Sequence, residues 1–595
     1  MTGIDTQPRN MTKSCRQCAQ KFEITAEDLA FYEKVSPVFA GKKYPMPPPS
    51  LCPDCRAQRR LSFRNERKLY NRKCDLSGRQ ILSMYSPDKP YKVYDHKEWW
   101  SDKWDALSYG KNYDPTRSFF EQFHELWLAV PQMNVRGENN LNSDYCNLTA
   151  NCKNCYLVFE SSNNEDCLYG YWLQKCNDCA DTCFSHESTL CYECDDCYNC
   201  YNLLHSRDCN NCSDSAFLID CTGCKNCLFC VNLHQKEYCV FNKQLTKEEY
   251  EKEKKKYLDG SSETSQKNIK KFEEFALKYP RKYAHSFNAE NCTGDYIRQS
   301  KNCVNCFHAH DAEDCKYGEH VWRVSKNNMD VSTVGRGAEL VYESINTAIG
   351  ATHDLFCIQC WSGTADLIYC VSCFASQNCF GCVGLRHEKY CILNTQYSKE
   401  EYEKLVPKII AQMEKTSAQR EDEAARPSEG ALGLVGPKAT AIKEWGEFFP
   451  PGLSEFGYNE TVAQEQFPLS QDEALKLGFR WSDAEPAARY EGGKPDLPDN
   501  ISDIKDEILK QILTCETCGK NYKIIRQELE FYRKLKLPAP RTCPDCRHAA
   551  RMSHRNPNKL YSRACAKCKA PIQTTYAPDR PEKVYCEKCY LKAVY

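Results

Sequence analysis

Nowhere does this sequence reach 18 consecutive apolar residues, so no segment of it reads as a membrane-spanning helix. The opening MTGIDTQPRNMTKSC lacks the basic start and apolar run of a secretory signal, which sets the expectation of a cytoplasmic chain. Net charge is nearly absent too: 80 Lys and Arg stand against 81 Asp and Glu, a formal −1. No nucleotide-binding glycine loop, HExxH motif or compelling acidic pair occurs, so catalysis is not expected. Histidine is sparse at 13 residues, and the isolated His205, His234 and His387 read as surface or structural side chains.

What is abundant is cysteine, 42 residues in 595. In a reducing compartment thiols stay free, and paired cysteines point to metal before disulfides. At roughly 100–200 residues per domain the chain should hold about three or four folded units. Charge is segregated along it. Residues 56 to 73 carry eight Arg or Lys against one Glu, residues 547 to 569 carry seven against none, and the middle is acidic. Basic ends of this kind are one footprint of a polyanion-binding protein.

CPDCRAQRRLSFRNERKLYNRKC at 52 to 74 returns as CPDCRHAARMSHRNPNKLYSRAC at 543 to 565, and an offset of 491 holds from Cys52 through Glu98. YSPDKPYKVY at 85 to 94 matches YAPDRPEKVY at 576 to 585, so the ends are copies of one module. Each copy opens with CxxC, a helical segment and CPDC: Cys15, Cys18, Cys52 and Cys55 in one, Cys515, Cys518, Cys543 and Cys546 in the other. Zn(II) takes four ligands in a tetrahedron, and each CxxC turn offers two sulfurs about 2.3 Å from one ion. Phe22 and Tyr522 are spaced to pack beside the knuckle, and Thr25 with Asp28 marks a helix start.

These segments, CRQCAQKFEITAEDLAFYEKV with PPPSLCPDCR and its C-terminal counterpart, resemble a bacterial family described as a probable zinc-ribbon domain, over roughly 45 residues at each end. The whole layout is similar to uncharacterised bacterial proteins in which ribbons flank a Cys-rich centre. That resemblance implies zinc ribbons at both ends and no particular reaction.

The C-terminal copy continues with Cys565, Cys568, Cys586 and Cys589, in the spacing CxxC-x17-CxxC, which reads as a further site. In the N-terminal copy the same columns hold Cys74, Ser77, Asp95 and Glu98, close to Trp99, Trp100 and Trp104. Serine is a poor zinc ligand, so this half reads as a metal-free relic with an apolar core instead. The cofactor expectation is Zn(II), about three per chain.

Between the ends lie 29 cysteines in two blocks, Cys146 to Cys239 and Cys292 to Cys391. CLFCVNLHQKEYCVFNKQLTKEEYEK at 227 to 252 parallels CFGCVGLRHEKYCILNTQYSKEEYEK at 379 to 404, so the centre is duplicated as well. In the first block every Cys except Cys183 falls in one three-residue phase. A CxxC is followed twelve residues later by another Cys four times, at Cys155/Cys167, Cys179/Cys191, Cys200/Cys212 and Cys227/Cys239. Successive CxxC starts at Cys152, Cys176, Cys197 and Cys224 lie 21 to 27 residues apart, which fits coils of a parallel β-solenoid with Asn, Asp and Gly at its corners. Two readings of these thiols stand side by side. They stack in ladders as small apolar side chains, or neighbouring coils pool them into zinc or iron–sulfur sites.

The architecture expected is multidomain and mainly β. Residues 11–110 form the N-terminal ribbon with its degenerate second half, 111–145 a helical connection, and 146–245 the first solenoid block. A helical bridge at 246–286 leads to the second block at 287–397 and a helix at 398–413, with capping boxes at Thr246/Glu249 and Ser398/Glu401 and Pro407 inside the last helix. Linkers at 414–440 and 484–500 bracket an aromatic segment, 441–483, expected to lie along another domain with a short helix at 470–477. ISDIKDEILKQIL then leads as a helix into the double ribbon at 501–595.

Arg56, Arg59, Arg60, Arg64 and Arg67, with Arg547, Arg551, Arg555 and Arg563, are candidate phosphate contacts, and Phe63, Tyr70, His554 and Tyr561 offer stacking faces. Nucleic acid, RNA favoured, is thus the first partner expected. In the alternative, these arginines pair in cis with the acidic centre and the chain is a protein-interaction scaffold. Thiol redox chemistry or metal storage is a third reading.

Overall fold

A computed structural model describes residues 10–334, 337–347, 350–361, 363–423, 444–484 and 497–595. The linker readings at 414–440 and 484–500 fall largely on 424–443 and 485–496, outside the described residues. The protein is mixed α/β, with many small parallel sheets and twelve α-helices among the described residues. None of these helices is long and apolar enough to cross a membrane.

The terminal modules repeat one local plan. A short antiparallel hairpin carries the first CxxC at its turn: Met11–Ser14 with Lys21–Ile24, Leu513–Thr514 with Asn521–Tyr522, and Tyr561–Ala564 with Pro571–Thr574. The second pair begins a helix. Cys52 caps Pro53–Leu61, Cys543 caps Pro544–His554, and Cys586 caps Glu587–Val594. In the first two helices proline takes the first position, where the missing N–H would have had no partner.

The centre obeys a single pairing rule. Lys153 bridges in parallel to Glu165, Glu165 to Asn177, Asn177 to Thr189, and Thr189 to Tyr201, always twelve residues on. In the second block the step lengthens to thirteen, as in Met329 to Tyr342 to Leu355 to Ile368, and returns to twelve at Val371 to Val383. The pairing period is therefore shorter than the 21 to 27 residues between CxxC starts. Those intervals are multiples of the three-residue step from which each layer is built.

One step shows how the backbone is satisfied. Lys153 is the bridged residue, and its N–H donates to the Asn164 carbonyl one layer up at 2.9 Å. Asn154 turns the chain at φ 53°, and its N–H donates one layer down to Leu141, also at 2.9 Å. Cys155 is buried. Asn and Asp tolerate the left-handed region best, and they fill many of these turns, among them Asn151, Asn163, Asp166, Asp178 and Asp181. Trp172 and Phe184 adopt it as well, their N–H groups tied to Phe159 and Tyr171 in the layer before.

The buried residue of each step still has an N–H to place, and the side chain one layer earlier accepts it. Asn164 Oδ1 takes the Cys176 N–H at 2.9 Å, Ser188 Oγ takes that of Cys200 at 3.3 Å, and Ser215 Oγ takes that of Cys227 at 2.9 Å. Cysteine does the same: Cys155 Sγ accepts the N–H of Cys167. Its own S–H reaches the carbonyls of Lys153 and Asn164 at 3.5 and 3.6 Å. The phase of the thiols is thus a hydrogen-bonding requirement as much as a packing one. Cys183, out of phase, is a bridged residue between Tyr171 and Asp195.

Several connecting segments differ from expectation. ISDIKDEILKQIL forms two 3-10 turns, Ile501–Asp503 and Asp506–Lys510, because Arg533 takes the Ile504 carbonyl at 2.8 Å and Asp506 pairs with Arg526 and Arg533. The helix placed at 398–413 runs from Lys399 to Glu423, straight through Pro407. Residues 111–145 contain one α-helix, Phe119–Ala129. Within the aromatic segment, Trp445, Phe448, Phe449 and Phe456 are buried in the same cluster as Phe63, Trp127 and Tyr369, which wedges that segment between the N-terminal module and the second block.

Cys194 tests the layer plan: it is fully buried, with Sγ 3.4 Å from the carbonyls of both Tyr192 and Leu203. Cys194→Ala is expected to cost about 1–2 kcal/mol of stability, seen as a lower unfolding temperature with metal content per chain unchanged. A fall in metal content would instead make this thiol a ligand.

Candidate metal centres and arginine clamps

Three groups of four sulfurs stand ready for a metal ion: Cys15/Cys18/Cys52/Cys55, Cys515/Cys518/Cys543/Cys546 and Cys565/Cys568/Cys586/Cys589, each with all ligand atoms within 4.8 Å of one another. Sulfur pairs that bridge the two halves lie 3.8 Å apart for Cys18–Cys52 and 3.7 Å for Cys518–Cys543 and Cys568–Cys586. The edge of a tetrahedron with bonds of about 2.3 Å is about 3.8 Å, so the sulfurs already fit a zinc-sized ion.

The knuckle prepares them electrostatically. Cys15 Sγ accepts the Cys52 N–H and Cys565 Sγ the Cys586 N–H, both at 3.3 Å, while the N–H of the first cysteine in each knuckle closes the hairpin turn. Burial opposes ionisation of Cys515, but the backbone N–H groups of Cys543 and Cys518 outweigh it and bring the thiol down to about 6. Cys565 is also brought to about 6, burial again being overcome, here by N–H groups of Cys568 and Cys586. A thiolate is the form a metal needs.

The fourth hairpin, Tyr70–Lys73 with Gln80–Ser83, keeps this cradle without the ligands. Cys74 Sγ still accepts N–H bonds from Asp95 at 3.2 Å and Ser77 at 3.4 Å. Across the other columns lies Arg79, 3.3 Å from Glu98 and 3.8 Å from Asp95. Arg79 occupies the column of Ala570, so where one copy has an alanine beside four cysteines the other has a cation beside two carboxylates. Trp99 and Trp104 are buried and pack on one another at 5.2 Å, with Arg386 over both rings.

No group of three or more central thiols meets the same 4.8 Å proximity among the described residues. Their sulfurs are spent on backbone carbonyls, as in Cys197 with Asp195 at 3.4 Å and Cys230 with Leu228 at 3.2 Å. All 42 cysteines are free thiols.

The arginines following CPDC are placed differently from a phosphate-binding surface. Arg56 is 1% exposed and forks onto Asp330 at 2.7 and 3.1 Å. Arg59 holds Glu343 and Glu447 at 2.9 Å each, and Arg60, fully buried, lies 3.7 Å from Asp330. Arg64 pairs with Glu66 and Glu160, and Arg67 faces Asp545 at 3.7 Å. In the other copy Arg547 and Arg551 converge on Asp181, at 3.0 and 2.8 Å, and Arg551 also meets Glu193. Arg555 binds Asp196 at 2.7 Å, and Arg563 donates to the carbonyls of Ala577 and Glu582. Arg56, Arg59, Arg60, Arg64, Arg547, Arg551 and Arg555 are thus buried against carboxylates of the centre of the same chain. Of the stacking candidates, Phe63 is in the core and Tyr70 donates to Glu460 at 2.7 Å.

The clamps are related by the duplication. Arg56 lies over the Tyr317 ring and bonds Asp330; Arg547, its counterpart, lies over Tyr169 and bonds Asp181. Tyr317 and Tyr169 occupy matching CKYG and CLYG segments. The N-terminal module therefore docks on the second block and the C-terminal module on the first. Where the modules meet, Lys68 pairs with Asp545 at 3.0 Å and Lys559 with Asp54 at 3.9 Å, a reciprocal exchange like that across a two-fold interface. Asp181, Glu193, Asp330 and Glu343 escape a sequence reading because nothing local marks an acidic residue in an acidic region as the one an arginine will meet.

No protein-family description, curated protein or solved structure matches this chain. Its class is defined by its own geometry: a cysteine-rich mixed α/β protein with zinc-ribbon-like four-cysteine sites at both ends.

Metal analysis of the purified chain checks the assignment of ligands. Cys518→Ser and Cys568→Ser are each expected to lose one equivalent of bound metal, and Cys74→Ser none. For the clamps, Arg56→Met should destabilise docking by about 3 kcal/mol, because buried Asp330 loses its hydrogen-bonded partner and keeps only Arg60 at 3.7 Å. Faster hydrogen exchange in Pro53–Leu61, with metal content unchanged, is the expected signature.

Proposed function

We propose that this chain is a non-catalytic scaffold: a parallel β-solenoid in two blocks, closed by zinc(II)-bearing ribbons that clip its layers together and present its surface to a partner protein. The observation that carries this reading is the burial of the arginine clamps. A protein that spends its densest basic segments on its own Asp181, Asp330 and Glu343 is using that charge for assembly, not for phosphates. Zinc is favoured over other metals because tetrahedral four-thiolate sites with CxxC spacing suit it, and it holds structure without redox change. Free thiols throughout agree with a reducing, cytoplasmic setting.

The surface offered includes a cleft of about 480 Å³ between the metal-free half-ribbon and the last layers of the second block. Trp100 and Trp104 line it with Asp102, Asp105, Arg386 and Glu388. Trp100 is 41% exposed, while Arg386 is held by the carbonyls of Trp99, Ser101 and Trp104. An open indole beside three carboxylates suits a protein segment with apolar and basic side chains.

A photo-crosslinking residue in place of Asp102 separates scaffold from nucleic-acid binder. The expected outcome in cells is a discrete protein adduct, absent when the probe replaces exposed Lys267. RNA adducts at Asp102 would overturn the reading. So would binding of single-stranded RNA tighter than about 1 µM at physiological salt, falling steeply as salt rises.

A further inference from the structure

Asp208 and Asp220 occupy matching turns of adjacent layers in the first block, at φ 56° and 53°. Between them and the entry to the second block stands His285. Its Nε2 is 3.5 Å from Asp220 Oδ1 and 3.9 Å from Asp208 Oδ1, and its Nδ1 is 3.2 Å from Asp295 Oδ1. The ligand atoms of His285, Asp208 and Asp220 all lie within 4.8 Å of one another. Bonds of about 2.0 Å to a tetrahedral ion would bring nitrogen and oxygen about 3.3 Å apart, a small contraction from what is seen.

The surroundings show what is missing. Asp295 is fixed by the His285 and Tyr296 backbone N–H groups at 2.6 and 3.0 Å and by the Thr575 hydroxyl at 2.6 Å, so it can only orient the imidazole. This is the carboxylate–histidine arrangement that aims a ring nitrogen at a metal. Asp208 receives the Tyr296 hydroxyl at 2.9 Å. Asp220, its side chain 8% exposed, has no hydrogen-bond donor for Oδ2, and neither does His285 Nε2 find a hydrogen-bond partner.

Charge is also out of balance. Arg555 answers Asp196, Arg207 answers Glu273, and Lys282 answers Glu587. Arg281, 3.9 Å from Asp220, is the nearest cation not engaged elsewhere, so the three buried carboxylates Asp208, Asp220 and Asp295 are short of positive charge.

We propose that His285 Nε2, Asp208 and Asp220 form a fourth metal site, for a divalent ion of zinc's class, with Asp295 as the residue that positions the imidazole. Nitrogen and two carboxylates suit zinc, manganese or iron rather than calcium or magnesium. Such an ion would staple the first block to the second, and through Asp295 and Thr575 to the last ribbon. This proposal does not rest on the scaffold reading above.

The test uses the full chain, equilibrated with zinc and freed of excess. Zinc-edge X-ray absorption of the wild type should show, beside sulfur at about 2.3 Å, a nitrogen/oxygen shell at about 2.0 Å that accounts for one zinc in four. His285→Gln and Asp220→Asn should each remove that shell and one equivalent of zinc while the sulfur shell persists. An all-sulfur spectrum in the wild type overturns the proposal even if both variants fail to fold. Folded variants with unchanged zinc content overturn it as well, and leave His285 as a buried imidazolium between carboxylates.

Discussion

A backbone N–H that is taken out of water must find an acceptor, and in the centre of this protein every third residue poses that demand anew. The bridged residue donates up a layer and the left-handed residue donates down, which leaves the buried residue of each step with only the side chain one layer earlier to turn to. Serine, asparagine and cysteine can answer; of these, cysteine also supplies a compact apolar body. The density of thiols in the first block follows from this constraint. So does their three-residue phase.

The same layer spacing stacks like charges. Asp196, Asp208 and Asp220 succeed one another twelve residues apart, and Asp181 and Glu193 form another such pair. Carboxylates repeated at the distance between layers repel one another unless cations are inserted, and the terminal modules bring those cations in helices that begin at the four-cysteine knuckles. Arg547, Arg551 and Arg555 serve the first block in this way, Arg56, Arg59 and Arg60 the second. The first two four-cysteine clusters thus stand at the start of helices whose guanidinium groups are buried in another part of the chain.

Duplication explains why the halves resemble each other, and divergence explains where they do not. At Arg79, Asp95 and Glu98 a salt-bridged cation spans two ligand columns of the lost site. The adjoining Trp99 and Trp100 pack on Phe374 of the second block. In the intact copy the corresponding ribbon lies on the first block, with Tyr590 bonded to Asn232 and Tyr595 stacked on His234.

Much of this could be read from residues alone. CxxC spacing at three places, the offset of 491 and the degenerate columns at Cys74, Ser77, Asp95 and Glu98 follow from counting, because metal geometry ties ligand identity to local spacing. The cysteine phase and its twelve-residue recurrence are equally plain, although the longer CxxC intervals hid the pairing period. What no local pattern carries is which acid meets which base. An arginine near a knuckle looks the same whether it faces solvent, RNA or a buried carboxylate, and the docking of the first module on the second block joins residues some 270 positions apart, Arg56 to Asp330. The gathering of Asp208, Asp220, His285 and Asp295 is of the same kind. The sequence determined the local chemistry, hairpin, knuckle and three-residue step, since these depend on neighbours within a few residues. Only the tertiary structure decided where each charge is neutralised, since that depends on which surfaces meet once the layers are stacked.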